Sequence, residues 1–305
     1  MTTYLITGAT GFIGRRLVNL LTTKNHKVIL MTRKPIKGYD SIVFDFENGN
    51  YSEINLKGVD VIFHLAGIAH NMKSIKNQND LYKKINSDSV IKLAEVAIKY
   101  NVKKFIFVST VKAGGSKLNG IKMFSEIDQN TPEGIYGKSK REAELRVLDL
   151  AGNSNIFISI IRPALVYGPG VKGNLEIMLK AIKKGWFPPL PRVNNCRSMV
   201  HVDDLVEAIY FVSNETKANN EIFNVTDGKT YSSREIYDAM CYSLGKPIPK
   251  WEVPLFVFKI IALISKKKRI SISKLLGDES YSSKKIQTLG FKVKRSLKEM
   301  NETSF

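Results

Sequence analysis

Short apolar runs alternate with amphipathic stretches along the first half of the chain. The runs have the length and the β-branched and aromatic content of buried strands, and they occupy residues 4–7, 27–31, 41–46, 59–65, 103–108 and 156–161. Between them, apolar residues recur at helical spacing, most clearly over residues 12–24, 81–100 and 133–151. This alternation predicts an α/β fold with a doubly wound parallel sheet, whose ligand crevice lies at the carboxyl ends of the strands.

The rhythm loosens after residue 168, where Gly- and Pro-rich turns become frequent. The pattern there predicts helices at residues 175–184 and 232–243, a strand and a helix over 199–213, and a strand at 222–225. Ser232 and Glu235 have the spacing of a capping box at the start of one of these helices. We therefore expect a sheet domain over residues 1–168 and a smaller, mostly helical lobe over 169–305, with the chain free to cross back between them.

A glycine-rich turn follows the first predicted strand. Gly8, Gly11 and Gly14 have the pattern Gly-x-x-Gly-x-x-Gly and lead directly into the first predicted helix. Residues without a Cβ are needed where the backbone reverses tightly and where a ligand must come close. The helix start offers free N–H groups to a pyrophosphate. The turn therefore predicts that residues 1–168 form a dinucleotide-binding Rossmann domain, which leaves substrate binding to the lobe.

The composition, 43% hydrophobic and 25% charged over 305 residues, is that of a globular protein. No apolar run reaches the about 18 residues of a membrane span, and Arg15 and Arg16 interrupt the first helix where a secretory leader would be apolar. We expect a cytoplasmic protein. The few cysteines and histidines predict neither a disulfide framework nor a metal site: Cys196, Cys241, His26, His64, His70 and His201.

The formal net charge of +19 is unevenly distributed. Residues 246–298 contain 14 Lys and Arg against 3 acidic residues. Such an excess favours anionic partners, which include phosphorylated substrates, acidic membrane surfaces and nucleic acids. A lysine-rich solvated surface accounts for most of the count, and no nucleic-acid-binding motif accompanies it, so we expect no nucleic acid partner.

Tyr136 and Lys140 are four residues apart at the start of a predicted helix, so both side chains project from one face. A free phenol has a pKa of about 10, and a nearby ammonium favours its ionised form. Ser109 and Thr110 stand at the carboxyl end of the fifth predicted strand, where active-site groups of such sheets gather. Either hydroxyl is a candidate for binding a substrate oxygen that exchanges its proton with Tyr136.

These residues resemble the extended short-chain dehydrogenases/reductases of the NAD-dependent epimerase/dehydratase family. The resemblance covers nearly the whole chain, through residues 7–14, 64–67, 86, 109–110, 136–140, 162–169 and 197–204. Within the family, residues 171–174 and 195–198 are similar to a bacterial subgroup of nucleotide-sugar enzymes acting at C4. That subgroup includes UDP-glucose and UDP-N-acetylglucosamine 4-epimerases and 4-ketoreductases.

The resemblance implies a role for each matching residue. Tyr136 would be the acid/base, Lys140 its electrostatic partner and a ribose ligand, and Thr110 the substrate-binding hydroxyl, with Ser109 beside it. Asn174 and Arg197 would contact the phosphates of the sugar nucleotide. Arg162 would end the strand beneath the nicotinamide, unless it only forms a structural salt bridge. Asp45 and Phe46, after the third strand, would hold the adenine. The remaining cofactor-binding positions would be Gly8, Gly11, Phe12, Ile13, Gly14, Leu65, Ala66, Gly67 and Pro163.

The end of the second predicted strand departs from the usual NAD pattern. NAD enzymes of this kind carry an acidic residue there, which binds the ribose 2′-hydroxyl. Here the strand ends Met31-Thr32-Arg33-Lys34. A basic residue accommodates a 2′-phosphate, so the cofactor prediction is NAD or NADP, with a slight preference for NADP from Arg33. The alternative is that Arg33 only covers the adenine.

The reaction implied is an exchange of a proton and a hydride at C4 of a UDP-hexose or UDP-N-acetylhexosamine, for surface polysaccharide synthesis. A 4-epimerase and a 4-ketoreductase use the same catalytic residues, so both stay open. Related dehydratases usually carry an Asp-Glu pair after the active hydroxyl, where this chain has Val111 and Lys112. A ketoreductase of a non-nucleotide substrate would lack phosphate contacts such as Arg197. A non-catalytic regulator would have lost Tyr136 or Lys140.

Residues 253–264 are the most apolar stretch, and a basic run follows at 266–269. The stretch is too short to span a bilayer. We favour a helix packed in the small lobe with a solvated basic end; the alternative is a helix lying on an anionic membrane, at its inner face. In that case the substrate could be a lipid-linked N-acetylhexosamine. Family members often form homodimers through two helices, and residues 81–100 and 133–151 are the corresponding segments here.

Overall fold

The structure is a computed structural model, and it describes residues 1–69, 78–115, 123–128, 130–132 and 134–297. His70 and Glu133, the latter the predicted start of one helix, lie outside the described residues. The strands are β1 (Thr3–Thr7), β2 (Lys27–Thr32), β3 (Asp40–Val43), β4 (Val61–His64), β5 (Lys104–Val108), β6 (Phe157–Pro163), β7 (Leu165–Tyr167), β8 (Arg197–His201), β9 (Glu221–Val225) and β10 (Thr230–Tyr231).

The α-helices of the described part are α1 (Phe12–Thr23), α2 (Gln78–Lys83), α3 (Ser89–Lys99), α4 (Gly134–Gly152), α5 (Asn174–Lys183), α6 (Val202–Asn214), α7 (Ser233–Ser243), α8 (Leu255–Ile264), α9 (Lys266–Leu276) and α10 (Lys284–Thr288). A π-helical turn, Lys84–Asp88, joins α2 to α3. The predicted helix over 81–100 is therefore interrupted by a wider turn.

Seven strands form one parallel sheet in the order β3-β2-β1-β4-β5-β6-β9. Thr7 pairs with Met31 on one side and with His64 on the other, and Val108 pairs with Ile161. The strands therefore end at a common edge, which brings the turns that follow them together. The predicted doubly wound parallel sheet is confirmed.

Alternate residues of the strands face two separate apolar cores. Ile6 and Phe63 face α1 and α6, whose contributions include Leu17 and Leu205. On the other face of the sheet, α3 and α4 cover a core that includes Leu5, Phe105, Val90, Leu93 and Val147. Helices on both faces bury the central strands β1, β4, β5 and β6 almost completely, which explains their near-continuous apolar sequence, whereas the edge strand β3 stays partly exposed.

A smaller sheet and helices α5, α7, α8 and α9 form the lobe. β8 pairs in parallel with β7 and antiparallel with β10. A third core joins the sheet to the helices through Tyr167, Met199, Ile236, Met240 and Phe258. The predicted capping box is present, because Ser232 accepts the Glu235 N–H and Glu235 accepts the Ser232 N–H.

The chain crosses back from the lobe to the large sheet. α6 covers one face of that sheet and β9 pairs with β6 along its edge, although both follow residue 168. β3 ends at Val43 rather than at the predicted residue 46, so Asp45 and Phe46 lie in the turn beyond it. Within the described residues, no helix combines the length and the apolar character that crossing a membrane requires.

Candidate active site

The glycine turn is held against the end of β4. Gly8 has a φ of +68°, and a Cβ there would stand 2.8 Å from the Ala66 backbone nitrogen. A Cβ on Gly14 would collide with the Gly8 carbonyl oxygen. The Gly11 N–H donates to that same oxygen at 2.9 Å. Backbone atoms thus exclude a side chain at positions 8 and 14, and backbone atoms cannot move aside as flexible side chains do.

The N-terminus of α1 is left open beside this turn. Gly11 is its N-cap, and no described side chain accepts a hydrogen bond from its first N–H groups; nor does its first turn contain an acidic residue. Free N–H groups and the positive end of the helix dipole together attract an anion. A pyrophosphate fits this site, with Phe12, Ile13 and Gly14 supplying the N–H groups.

Thr7 joins the ends of β1 and β4, a role that the sequence did not reveal. Its Oγ1 accepts the Leu65 N–H at 3.1 Å and the Ala66 N–H at 3.0 Å. Because both lone pairs are then used, the hydroxyl proton is donated to His64 Nδ1, 3.0 Å away. His64 consequently carries its own proton on Nε2, which has no partner among the described residues.

His64 has a structural position in this junction. It is fully buried between the Phe46, Phe105 and Phe107 rings. Burial, reinforced by the Lys140 charge, lowers its pKa to about 3, so the imidazole is neutral.

The predicted catalytic hydroxyls meet at the end of β5. The Thr110 hydroxyl lies close enough to Tyr136 to lower the pKa of the phenol, and it accepts the Lys112 N–H at 3.3 Å. Ser109 is 4% exposed, and its Oγ has no hydrogen-bond partner within the described residues. A buried hydroxyl without a partner usually has a functional explanation. Ser109 is therefore suited to bind a polar group of a ligand.

Lys140 lies about one helical turn after Tyr136 in α4 and is buried. Its Nζ donates to the Val108 carbonyl at 3.1 Å and lies 4.6 Å from the centre of the Phe107 ring. Burial lowers the pKa of Lys140 to about 8, so the side chain is mainly charged at neutral pH. A Cβ on Gly67 would stand 2.9 Å from Asn86 Oδ1 and 3.2 Å from Lys140 Nζ, so a side chain there would displace one of them.

Burial, rather than the Lys140 charge, dominates the pKa of the Tyr136 phenol. Burial raises this pKa to about 12, and Thr110 opposes the rise only in part. The Lys140 ammonium points at the Val108 carbonyl rather than at the phenol. Tyr136 therefore keeps its proton at neutral pH unless further positive charge enters the site.

Asn86 organises the wall opposite the glycine turn. It lies in the π-helical turn, accepts the Ile68 N–H at 2.9 Å and donates to the Ile68 carbonyl at 3.0 Å. Its amide also donates to Ser139 Oγ at 3.2 Å. Asn86 thus links the segment after β4 to the helix that carries Tyr136 and Lys140. The signal in the sequence was a polar residue within the apolar stripe of a predicted helix.

Arg162 forms the structural salt bridge that was one of its two interpretations. Its guanidinium binds Glu144 with two hydrogen bonds, of 2.9 and 2.6 Å, and both side chains are buried. Pro163 follows at the end of β6, which pairs with β5 beside Ser109. The pair fixes α4 against β6, and so it positions the helix of Tyr136 relative to the sheet.

The predicted adenine-side residues occupy the other half of the edge. Asp45 accepts the Glu47 N–H at 3.0 Å, which shapes the turn after β3, and the Phe46 ring contacts His64 at 5.5 Å between centroids. Arg33 follows β2 and is exposed. Because β1 lies between β2 and β4, Arg33 and Leu65 leave the sheet on either side of the glycine turn.

Asn174 and Arg197 lie in the lobe, on separate elements. Asn174 is the exposed first residue of α5. Arg197 begins β8, and its guanidinium binds Glu279 at 3.0 Å and the Lys274 carbonyl. Glu279 also lies 3.9 Å from the Lys112 ammonium. The same carboxylate therefore interacts with Arg197 and with the segment that follows Thr110. No sequence pattern indicated this pairing with Glu279.

Residues 4–226 match the model of the NAD dependent epimerase/dehydratase family. This chain belongs to that family. The predicted family membership, and with it an NAD(P)-dependent enzyme of the extended short-chain dehydrogenase type, is confirmed. The UDP-glucose 4-epimerase of Vibrio cholerae is 34% identical over an alignment of 305 positions. The alignment covers 97% of this chain and 92% of that protein.

A second member of the epimerase/dehydratase family acts on a lipid-linked sugar. The N-acetyl-alpha-D-glucosaminyl-diphospho-ditrans,octacis-undecaprenol 4-epimerase of Escherichia coli O157:H7 is 26% identical, covering 94% of this chain and 89% of that protein. The solved structure of MoeE5 in complex with UDP-glucuronic acid and NAD superposes with a TM-score of 0.78 at 22% identity. It covers 99% of this chain and 97% of that one, and it supports the fold.

Proposed function

We propose that this protein is a 4-epimerase of a UDP-hexose or UDP-N-acetylhexosamine that works in surface polysaccharide synthesis. The observation that carries the proposal is the clustering of Thr110, Tyr136 and buried Lys140, whose ammonium donates to the Val108 carbonyl at the end of β5, at the same sheet edge as the glycine turn. The Vibrio cholerae relative, which is a UDP-glucose 4-epimerase, supports the reaction and the substrate class.

The residues of this chain would handle the proton of the C4 hydroxyl. Thr110 would position the sugar oxygen, and Tyr136, once ionised, would accept the proton of that oxygen and become a neutral phenol. Lys140 would stabilise the Tyr136 phenolate before this transfer. When bound, oxidised NAD(P) supplies the acceptor for the C4 hydride and an additional positive charge. The 4-keto sugar would then rotate in the site, and Tyr136 would return the proton to the C4 oxygen once C4 is reduced on its opposite face.

The site residues fit a dinucleotide cofactor. The open start of α1, with its free N–H groups, suits the pyrophosphate. Asp45 and Phe46 are placed for the adenine, and Lys140 for the nicotinamide ribose. Exposed Arg33 keeps NADP open beside NAD, because its charge suits a 2′-phosphate.

Arg197 and Asn174 are proposed to bind the diphosphate of the substrate. In this structure the Arg197 guanidinium is paired with Glu279, so diphosphate binding would exchange one anionic partner for another. A 4-ketoreductase with the same residues is the competing assignment, since it also needs Tyr136 and Lys140.

The test is to incubate the purified protein with UDP-glucose or UDP-N-acetylglucosamine and identify the C4 epimer by NMR. We expect turnover without added reductant, and near-stoichiometric NAD released on denaturation and identified by mass spectrometry. Consumption of one NADPH per turnover of a 4-keto sugar would instead assign a reductase. Tyr136→Phe should lower kcat by about 10²–10⁴-fold without loss of cofactor. Tyr100→Phe, outside the site, is the control.

A lipid-linked N-acetylhexosamine is a second candidate substrate. It is supported by the Escherichia coli relative and by the exposed apolar face of α8 in the lobe. Comparing kcat/KM for N-acetylglucosamine presented on UDP and on undecaprenyl diphosphate distinguishes the two substrates. A higher value for the undecaprenyl substrate would replace the nucleotide sugar in our proposal.

A further inference from the structure

Helix α8 exposes an apolar face to solvent. The face consists of Leu255, Phe256, Ile260, Leu263 and Ile264, with exposures of 38%, 60%, 57%, 85% and 63%. The last four recur at i, i+4, i+7 and i+8, so they form a continuous stripe. Phe258 is the only residue of the helix that is buried. Packing in the lobe, the interpretation favoured from the sequence, therefore accounts for only one side of α8.

Positive charge surrounds this α8 face. Residues 255–276, which comprise α8 and α9, contain 6 Lys and Arg and no acidic residue. Lys259 is exposed on α8, and Lys268 and Arg269 are exposed in the first turns of α9. Ser265 ends α8 and caps α9 by accepting the Lys268 N–H at 3.2 Å. The sharp bend at Ser265 therefore sets the basic residues beside the end of the apolar stripe.

The two helices are fixed to the lobe through α9. They pack against each other, and Ile272, Leu275 and Leu276 pack against the lobe core. The Lys274 carbonyl accepts from Arg197, and the Leu275 carbonyl accepts from Ser233 Oγ. The orientation of the α8 face is thus determined by the folded lobe, close to the strand that begins with Arg197.

We propose that the α8 face docks on an anionic lipid membrane. Its apolar side chains would enter the interface between headgroups and acyl chains, while Lys259, Lys268 and Arg269 contact acidic headgroups. A second copy of the chain is a poorer occupant, because a two-fold contact through this face would bring two such basic clusters together without acidic partners. The proposal does not rest on the sugar or the reaction assigned above.

The experiment is co-sedimentation of the full-length protein with vesicles of phosphatidylglycerol and phosphatidylcholine, or of phosphatidylcholine alone. We expect binding to the anionic vesicles that weakens at high salt. Phe256→Ser and Leu263→Ser should each weaken partitioning by roughly tenfold, since an inserted Phe or Leu contributes that much. Lys268→Gln with Arg269→Gln should weaken it by roughly fivefold per charge.

Leu145→Ser is the matched control, because Leu145 is 55% exposed on α4 of the large domain. It should leave vesicle binding unchanged, and the exposed positions of all four variants predict wild-type thermal unfolding. Absence of binding to anionic vesicles overturns the proposal. Equal binding of Leu263→Ser and the wild type to anionic vesicles would also overturn it. Sedimentation velocity in which Leu263→Ser converts a dimer to a monomer would assign the face to a second copy.

Discussion

Replacing Lys140 by methionine is expected to stabilise the fold while removing catalysis. Lys140 is 3% exposed, and burial lowers its pKa from 10.5 to about 8. At about 1.4 kcal/mol per pKa unit, burying the charged form costs about 3 kcal/mol. Methionine removes the charge but loses the hydrogen bond to the Val108 carbonyl, which offsets about 1 kcal/mol. We expect the free energy of unfolding to rise by about 1–2 kcal/mol at neutral pH.

The pH dependence gives a second, independent check. Between about pH 8 and 10.5 the unfolded chain holds a proton on Lys140 that the folded protein has released. The contribution of Lys140 to the free energy of unfolding therefore increases with pH across this window, and below it the cost is constant. Activity should change in the opposite direction, falling above about pH 8 as the ammonium that supports Tyr136 is lost.

Urea unfolding of the wild type and Lys140→Met, at neutral pH and in the window above pH 8, measures both effects. Lys138→Met, at an exposed position of the same helix, is the control and should change neither stability nor its pH dependence by much. The reasoning fails if Lys140→Met is less stable than the wild type at neutral pH. It also fails if wild type and variant have the same slope against pH.

Two further substitutions test the cofactor side of the cleft. Thr7→Val deletes the hydroxyl that binds the Leu65 and Ala66 N–H groups, and it should lower the free energy of unfolding by about 2–4 kcal/mol. Thr7→Ser keeps the hydroxyl and should therefore keep most of the wild-type stability. Equal losses in the two variants, measured by urea unfolding, would show that the hydrogen bonds are not the cause. Arg33→Ala should weaken NADP⁺ binding about tenfold by calorimetry and leave NAD⁺ binding unchanged, if the guanidinium binds a 2′-phosphate. An equal loss for both cofactors would mean that Arg33 only covers the adenine.

The sheet and the glycine turn were predictable because their signals are local. A parallel strand buried on both faces reads as an apolar run, and Gly8 must be glycine for reasons confined to its own turn and the strand beside it. The proposed catalytic pair was predicted in the same way, since Tyr136 and Lys140 share one helix face. Ends of predicted strands then placed Ser109 and Thr110 near them.

The remaining features depend on contacts between distant parts of the chain. Nothing near Thr7 in the sequence indicates that it donates to His64, and nothing near Arg197 indicates that Glu279 will be its partner. The π-helical turn around Asn86 was missed because its residues continue a helical apolar pattern. Whether a helix such as α8 is covered is likewise a property of the assembled lobe, which periodicity alone does not report.

The return of the chain to the large sheet has a consequence for engineering. A fragment ending at residue 168 would lack β9 and α6, so β6 would become an unprotected edge and one face of the sheet would keep only α1 of its two covering helices. Such a fragment should self-associate through that edge. The lobe therefore cannot be exchanged between relatives as a single cassette. A chimaera that changes substrate preference must replace the segments before α6 and after β9 separately. It must keep β9, the strand that pairs with β6 at the edge of the large sheet.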